Sequence, residues 1–355
     1  MKLGLGLYRH MLTPEHFRFA RQCGATHVVA HLVDYFPDRT SGSGGDDQPT
    51  GGDRGWGRAG DPDKVWTTQE LVELKRAIKA EGLVLEAVEN FDPAHWHDVL
   101  FDGPQRDAHM ENCCSVIRSL GEAGVPIMGY NFSLAGVAGR ITGPYARGGA
   151  ESVGVDGGDD RPLPASMAWN MVVDPDAVGL REPVTHEQLW DRLGRFLDDI
   201  VPVAEEAGVM MAAHPDDPPI ETLRGMPRLV FQPSMYQRLL DRVPSPANGM
   251  EFCVGTLAEM TEGDIYEVID RYSRQGRIGY VHLRNVSGKV PRYHETFLDD
   301  GDVDMRRVLE ILKRNGFEGV IIPDHTPRMT CEAPWHAGMA WALGWMRAAV
   351  DGLGE

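Results

Sequence analysis

The sequence has few cysteines, fewer basic than acidic residues and no long apolar run. Its five cysteines, at positions 23, 113, 114, 253 and 331, show no disulfide-like spacing, which is typical of a reducing compartment. No apolar run approaches the roughly 20 residues of a membrane span, and the early charges argue against a signal peptide. The net charge of −18 disfavours nucleic acids and anionic membranes as partners. We therefore expect a cytoplasmic protein that acts on a small molecule.

Apolar segments of strand length alternate with amphipathic helices along the chain. Strands are predicted at residues 3–7, 26–32, 83–89, 125–131, 209–214, 249–254, 278–283 and 319–324. Such alternation implies parallel strands joined by right-handed crossovers, and eight repeats suggest a closed (β/α)8 TIM barrel. The alternative is an open doubly wound sheet, but no G-x-G-x-x-G follows the first strand.

Two glycine-rich stretches interrupt this alternation. Residues 38–63 are rich in Gly, Asp and Ser and predict a mobile surface loop or a lid. Residues 133–183 are too few and too rich in glycine for a core of their own, so they predict an inserted loop rather than a domain. The expected organisation is a single TIM-barrel domain, residues 1–355, with long inserted loops after strands 2 and 4.

The last four predicted strands each end in a possible metal ligand. A lone histidine or cysteine at a strand end is usually structural, but four at the same face of a barrel predict a metal site. Two imidazoles, a thiolate and a carboxylate can surround one divalent ion. The set suits zinc or ferrous iron, and the carboxylate also permits manganese. The predicted ligands are His214, Cys253, His282 and Asp324.

Further polar residues are candidates for catalysis and for substrate binding. His325 follows Asp324 directly, so their side chains diverge and His325 can act as a general base. Glu89, at the end of strand 3, is a possible base, a partner of a metal ligand or an acceptor for a substrate hydroxyl. Arginines can pair with a substrate carboxylate. The other substrate-binding candidates are Arg9, Asn131, Arg140, Arg147 and Arg284.

Several motifs resemble those of the mannonate dehydratase family, of the xylose-isomerase-like barrel type. The segments H-P-D-D-P-P, N-G-M-E-F-C-V-G-T, V-H-L-R-N-V and P-D-H-T-P-R-M are similar, in this order, to the metal-site motifs of that family. K-V-W-T-T-Q-E-L-V-E-L-K, L-E-A-V-E-N and G-Y-N-F are similar to its first half. The resemblance covers nearly the whole chain.

The resemblance implies a reaction, a cofactor and roles for individual residues. The reaction is loss of water from D-mannonate to give 2-keto-3-deoxy-D-gluconate, in hexuronate catabolism. The four family ligands match His214, Cys253, His282 and Asp324, the metal is usually manganese, and a catalytic acid/base matches His325. Barrels of this kind often form dimers, which predicts a homodimer.

One departure from the family leaves part of the chemistry open. The family uses a tyrosine shortly after the aspartate–histidine pair, whereas this chain has no tyrosine after Tyr293. Tyr8, Tyr130 and His336 are candidates for the second acid/base. Two alternatives to the dehydratase are a metal-dependent sugar isomerase or epimerase, and a sugar-binding protein with a structural metal.

Overall fold

The computed structural model describes residues 1–36 and 55–354, and within them eight parallel strands close into a barrel. Each strand pairs with its neighbours in the chain, and the first pairs with the last. This confirms the predicted TIM barrel. The barrel strands are β1 (Lys2–Leu7), β2 (His27–His31), β3 (Val84–Glu89), β4 (Ile127–Tyr130), β5 (Met210–Ala213), β6 (Asn248–Cys253), β7 (Ile278–His282) and β8 (Val320–Ile322).

Helices cover the outside of the barrel, and local sequence signals set their ends. Thr67 and Thr185 begin two helices with reciprocal capping boxes, and Gly124 and Gly208 end two with positive φ angles of 68°. The helices are α1 (Pro14–Gln22), α2 (Thr68–Ala80), α3 (Pro93–Phe101), α4 (Arg106–Ala123), α5 (His186–Ala207), α6 (Met235–Arg242), α7 (Val254–Glu259), α8 (Ile265–Ser273), α9 (Met305–Arg314) and α10 (Pro334–Asp351). Short 3₁₀ turns lie at Arg9–Met11 and Arg147–Gly149.

The apolar core lies mostly between the strands and the helices. The apolar stripe of α5 is buried there, including Leu193, Phe196 and Ile200. A separate small cluster, including Val29, Ala212 and Ile322, fills the inside of the barrel. Polar side chains lie above this cluster, towards the carboxyl ends of the strands, where barrel enzymes place their active sites.

The insert after β4 contains regular structure that was predicted only as a loop. Strands Arg140–Ala146 and Ala150–Asp156 form a hairpin. It pairs with a second hairpin, Asn285–Lys289 and Arg292–Thr296, which follows β7 and was not predicted from the sequence. Together they form a four-stranded antiparallel sheet, called here the cap sheet. Two-residue strands form two further small hairpins, Met167–Ala168 with Met171–Val172 and Thr222–Leu223 with Met226–Pro227.

The glycine-rich stretch after β2 lies largely outside the described residues. Residues 38–54, which carry most of the predicted mobile loop or lid, lie outside the described residues. Of its remainder, Trp56 donates a backbone hydrogen bond to Asn170, and Arg58 bridges to Val172. None of the helices in the described part of the chain is long and apolar enough to cross a membrane.

Candidate active site

A cavity of about 70 Å³ opens among the residues that follow the carboxyl ends of the barrel strands. Aromatic rings of Tyr8, Tyr35, Trp56 and Trp169 form one side of it. The polar lining comprises His31, Glu89, Asn90, Asn131, Arg140, His214, Asp217, His282, Asp324 and His325. A larger groove of about 690 Å³ lies between α5 and α6 on the outside of the barrel, and it contains none of these residues. The small cavity is therefore the candidate site.

Three of the predicted metal ligands lie together at the base of this cavity. One donor atom from each of His214, Cys253 and His282 lies within 4.8 Å of the others. The register explains this closeness, because Cys253 on β6 pairs directly with His282 on β7. His214 Nδ1 lies 2.6 Å from the carbonyl oxygen of Pro215, so Nδ1 donates there and the lone pair of Nε2 remains available.

The sulfur of Cys253 lies in an environment that favours the thiolate. Thr256 donates to it from its hydroxyl at 3.2 Å and from its backbone N–H at 3.5 Å, and Arg284 Nη2 lies at 3.5 Å. Burial alone raises the pKa of Cys253, but Arg284 and the imidazoles of His214 and His282 hold it well below its usual range. A thiolate is the form that binds metal ions.

Asp324 and His325 lie beside this group, at the end of β8. Asp324 Oδ1 is 3.4 Å from His282 Nδ1, and Asp324 Oδ2 is 3.3 Å from Arg284 Nε. His325 Nδ1 is 2.9 Å from Glu295 Oε1 on the cap sheet. Their side chains do not diverge as expected for adjacent residues at a strand end, because His325 Nε2 lies 3.5 Å from Asp324 Oδ1, and both residues line the cavity.

Two of the predicted substrate-binding arginines are already paired inside the protein. Arg284 is almost fully buried and donates to Asp217 at 2.8 Å and to Glu295 at 2.6 Å. Arg140 donates to the same Asp217 oxygen at 2.9 Å and lines the cavity. Burial raises the pKa of the Asp217 carboxyl, but the two guanidiniums outweigh burial and lower it. Tyr293 also donates to Asp217, at 3.0 Å.

The other two arginines lie outside the residues that line the cavity. Arg147, in the turn of the cap-sheet hairpin, is half exposed and pairs with Asp299 at 3.1 Å. Arg9 is exposed, donates to the carbonyl oxygen of Leu32 and lies over the ring of Trp66. These placements do not favour the prediction that Arg9 and Arg147 contact the substrate.

The candidates for a second acid/base are widely separated. Tyr8 lines the cavity and lies 4.9 Å from the ring of His31. His336, on α10, packs against His16 and Phe19 in the helical layer, away from the cavity. Tyr130 is buried on the far side of its strand against Phe196. Of these three residues, only Tyr8 reaches the site, and the assignment of His336 as catalytic is at odds with its position.

Glu89 and Asn131 lie where the sequence analysis placed them, at strand ends that line the cavity. Glu89 accepts from Tyr280 at 3.2 Å and lies 3.6 Å from both His31 and His282. Burial raises the pKa of Glu89, yet these imidazoles lower it to about 2. Asn131 accepts from the indole N–H of Trp169 and donates to the carbonyl oxygen of Pro215.

Sequence reasoning missed several charged residues of the site. Glu251 lies two residues before Cys253 and therefore on the same face of β6, a spacing that could have revealed it. Asp217 lies within the H-P-D-D-P-P motif, but the sequence does not show that it would pair with two arginines. His31 ends β2 just as His214 follows β5. Glu295 had no such signal, because its hairpin was not predicted.

The buried polar interior carries an excess of negative charge that suits a cation. Among the nearly fully buried carboxylates, Asp217, Glu259 and Glu295 pair with the buried guanidinium of Arg284, and Asp217 also pairs with Arg140. Glu89 and Glu251 lie instead beside the imidazole of His282. Both ring nitrogens of His282 and both carboxylate oxygens of Glu251 lack a hydrogen-bond partner among the described residues. Buried carboxylates and imidazoles with unused donor atoms fit a divalent cation well.

A second group of metal-type side chains lies away from the cavity and has a structural role. His97, Asp98 and His109 have potential ligand atoms within 4.8 Å of one another, between α3 and α4. The backbone N–H of Asp98 donates to His109 Nδ1 at 3.1 Å, so the proton of the neutral ring lies on Nε2. With neither nitrogen of His109 available, this group does not suit a metal ion.

Comparison with known families shows which protein family this chain is related to. The family model described as D-mannonate dehydratase (UxuA) matches residues 43–142 and 174–349, more than half of the chain. The chain belongs to the D-mannonate dehydratase family. The mannonate dehydratase of Streptococcus suis strain 05ZYH33 is 32% identical over 280 residues, which is 75% of this chain and 76% of that protein. That of Thermotoga petrophila is 32% identical over 287 residues, 74% of this chain and 78% of that protein.

Solved structures agree with this membership in the D-mannonate dehydratase family. The crystal structure of mannonate dehydratase from Streptococcus suis serotype 2 has a TM-score of 0.76 and 25% identity, and the match covers 99% of this chain and 93% of that one. D-psicose 3-epimerase from Clostridium cellulolyticum H10 has a TM-score of 0.59 and 12% identity, covering 99% of both chains, which shows a shared fold alone. The resemblance seen in the sequence is thereby confirmed, and members of this family are hydro-lyases.

Proposed function

We propose that this protein removes water from D-mannonate and produces 2-keto-3-deoxy-D-gluconate with the help of a divalent cation. The proposal is supported chiefly by one observation within a D-mannonate dehydratase fold. His325, a possible proton-transfer group, lines the same small cavity as His214 and His282, which cluster with Cys253. An acid/base next to a metal site is what elimination of water beside a carboxylate requires.

The elimination of water needs two proton transfers. The C2 proton leaves to a base, and the C3 hydroxyl departs as water after it accepts a proton. The resulting enol then becomes the 2-keto acid when C3 accepts a proton and the C2 hydroxyl loses one. His325 would serve one of the two transfers in the elimination. Tyr8, the predicted second group that reaches the cavity, would serve the other.

The residues that would hold the cation are His214, Cys253 and His282, with Asp324 as the predicted fourth ligand. When bound, the cation supplies Lewis-acid stabilisation for the negative charge that develops at the substrate carboxylate. Manganese is the proposed metal, and the thiolate also allows ferrous iron or zinc. The five cysteines are free thiols, which supports a cytoplasmic location, and a homodimer remains the proposed assembly.

Asparagine, tryptophan and tyrosine side chains would orient the sugar chain in the cavity. Asn131 is held by Trp169 and by the carbonyl oxygen of Pro215, so its position is set before substrate enters. The aromatic rings of Tyr8, Tyr35 and Trp56 exclude water from one side, which strengthens electrostatic interactions within the cavity.

The test is formation of 2-keto-3-deoxy acid from D-mannonate by metal-stripped protein, before and after addition of manganese. We expect product only after metal is added. A His325→Ala variant should bind the same amount of metal as the wild type and form no product. If metal-loaded wild type leaves D-mannonate unchanged but converts an uncharged sugar into its isomer or epimer, the dehydratase proposal is refuted in favour of the isomerase alternative.

A further inference from the structure

Thr256 is a buried polar side chain that the proposed function leaves without a role. It lies in the first turn of α7, three residues after Cys253, and both residues are fully buried. Its hydroxyl oxygen lies 3.2 Å from Cys253 Sγ, and its backbone N–H donates to the same sulfur at 3.5 Å. One residue thus contacts the predicted thiolate ligand through two groups.

A neighbouring guanidinium fixes the direction of this hydroxyl. Arg284 Nη2 donates to Thr256 Oγ1 at 2.8 Å and to Asp217 Oδ2 at 2.8 Å. These two short contacts account for both protons of Nη2, so its longer approach to Cys253 Sγ, at 3.5 Å, is electrostatic. Because the hydroxyl oxygen of Thr256 accepts from Arg284, its single proton points away from the guanidinium.

The distances decide which acceptor receives that proton. Thr256 Oγ1 lies 3.3 Å from Asp217 Oδ2, beyond the range of about 2.5–3.0 Å that is usual for an O–H···O hydrogen bond. Its distance of 3.2 Å to Cys253 Sγ suits the larger sulfur atom. The hydrogen bonds therefore form a directed chain from Arg284 through Thr256 to Cys253, and each bond of such a chain polarises the next.

The same guanidinium also lies beside the other anionic residue of the predicted ligand set. Arg284 Nε is 3.3 Å from Asp324 Oδ2. Hydrogen bonds and positive charge next to a ligand hold it in place and draw electron density from it. A thiolate that has lost electron density is a weaker donor towards soft ions such as zinc. The surroundings of Cys253 therefore shift the preference of the site from zinc towards manganese.

We propose that Thr256 is a positioning residue of the metal site, whose hydroxyl relays the positive charge of Arg284 to the Cys253 thiolate, orients the sulfur and lowers its donor strength. This inference rests on the metal dependence in the proposed function, but not on the identity of the substrate. Thr256 thereby helps to determine which divalent ion the site prefers, because a weaker thiolate loses more affinity for zinc than for manganese.

The test measures metal binding directly, without substrate. Metal-stripped full-length wild type, Thr256→Val, Thr256→Ser and Thr26→Val are titrated with Co²⁺, Mn²⁺ and Zn²⁺. Thr256→Val removes the hydroxyl and keeps the shape of the side chain, whereas Thr256→Ser keeps the hydroxyl. Thr26→Val is the control, because Thr26 donates to the carbonyl oxygen of Leu3 at 3.1 Å, at the amino end of β2 and away from the site. The ratio of zinc to manganese affinity should rise by about tenfold in Thr256→Val alone, since outer partners of a ligand change affinity by about 10–100-fold.

The absorption spectrum of the Co²⁺ form separates this role from a merely structural one. Without the hydroxyl, the electrons of the sulfur are less stabilised, so the thiolate-to-cobalt charge-transfer band of Thr256→Val should move to lower energy. The band of Thr256→Ser should stay at the wild-type position.

Two results for Thr256→Val would overturn the inference, namely an unmoved band or an equal loss of affinity for zinc and manganese. It would also be overturned by a wild type that shows no thiolate band after addition of Co²⁺, and the D-mannonate assay would then decide separately whether the proposed reaction still holds. If Thr256→Val does not fold, Thr256→Ala removes the same hydroxyl and is judged by the same band.

Discussion

Replacement of Glu295 by glutamine should slow the chemical step without removing the metal. Glu295 Oε1 lies 2.9 Å from His325 Nδ1 and 2.6 Å from Arg284 Nη1, and its carboxylate is almost fully buried. Burial raises the pKa of Glu295, but His325 and Arg284 lower it to about 2, so the group is an anion at neutral pH. The carboxylate therefore accepts a hydrogen bond from His325 Nδ1 and orients its ring.

The expected size of the effect follows from this hydrogen bond. A hydrogen bond to a charged group contributes about 1.5–3 kcal/mol, which corresponds to a loss of roughly 10–150-fold in kcat for Glu295→Gln. KM should stay within about threefold, because Glu295 does not line the cavity, and an effect confined to the transition state lowers kcat and kcat/KM together. Steady-state formation of 2-keto-3-deoxy acid from D-mannonate, with manganese in excess, measures both constants.

A matched control separates this role from a general loss of charge. Glu187→Gln removes an exposed carboxylate that pairs with Arg238 at 2.9 Å on the outside of the barrel, and it should leave kcat unchanged. Metal content of Glu295→Gln should equal that of the wild type. An unchanged kcat in Glu295→Gln would refute the reasoning, and so would a loss of bound metal large enough to explain a lower kcat.

Two further predictions concern residues outside the cavity. Arg147→Ala should leave the KM for D-mannonate within about twofold of the wild-type value, because the exposed pair of Arg147 with Asp299 contributes only ~0–1 kcal/mol to stability and does not reach the cavity. Steady-state kinetics measures this KM. A tenfold rise would instead indicate that Arg147 binds the substrate. Burial, reinforced by His97, lowers the pKa of His109 to about 4, below its unfolded value of about 6.5. His109 therefore binds a proton more readily in the unfolded chain than in the folded protein. The free energy of unfolding that His109 contributes above pH 6.5 is lost as the pH falls towards 4, by roughly 1–2 kcal/mol between pH 7 and pH 5. His109→Gln keeps an acceptor for the N–H of Asp98 and should reduce this slope in urea unfolding; an identical slope would contradict the assignment.

The barrel and the metal cluster could be predicted because each depends on local sequence patterns. Apolar runs with helix stops at Gly124 and Gly208 identify strands and helices one unit at a time. Parallel strands bring their carboxyl ends to one face, so His214, Cys253 and His282 meet without any knowledge of distances. The barrel topology thus brings residues that are far apart in the sequence close together in space.

The cap sheet could not be predicted in the same way. Its two hairpins are separated by more than a hundred residues, and each contains glycine and exposed polar residues that weaken the alternation of a strand. Their pairing is a long-range event that no local pattern encodes. Glu295 lies on this sheet, and its contact with His325 therefore could not be predicted from the sequence.

The arginines show a different limit of sequence-based prediction. The residue type does not reveal whether a guanidinium is already paired with a carboxylate of the protein. Arg140 is the one guanidinium among the described residues that line the cavity, and it is bound to Asp217. Arg284 is buried behind it and pairs with Asp217 and Glu295. These arginines offset the buried carboxylates of the protein itself, so they are poorly placed to bind a substrate carboxylate as well.

The pairing of these arginines with carboxylates of the protein limits how an acidic sugar could bind. In the part of the chain that the structure describes, the cavity offers a substrate carboxylate its histidines and neutral tyrosine, tryptophan and asparagine groups, and its arginine is already paired. An anion that enters such a negatively charged cavity is stabilised by added positive charge, and the proposed cation would supply two units of it. Metal removal should therefore weaken binding of D-mannonate itself and not only the chemical step. An arginine clamp, by contrast, would hold the substrate in the metal-free protein, and substrate binding measured by calorimetry without metal distinguishes the two.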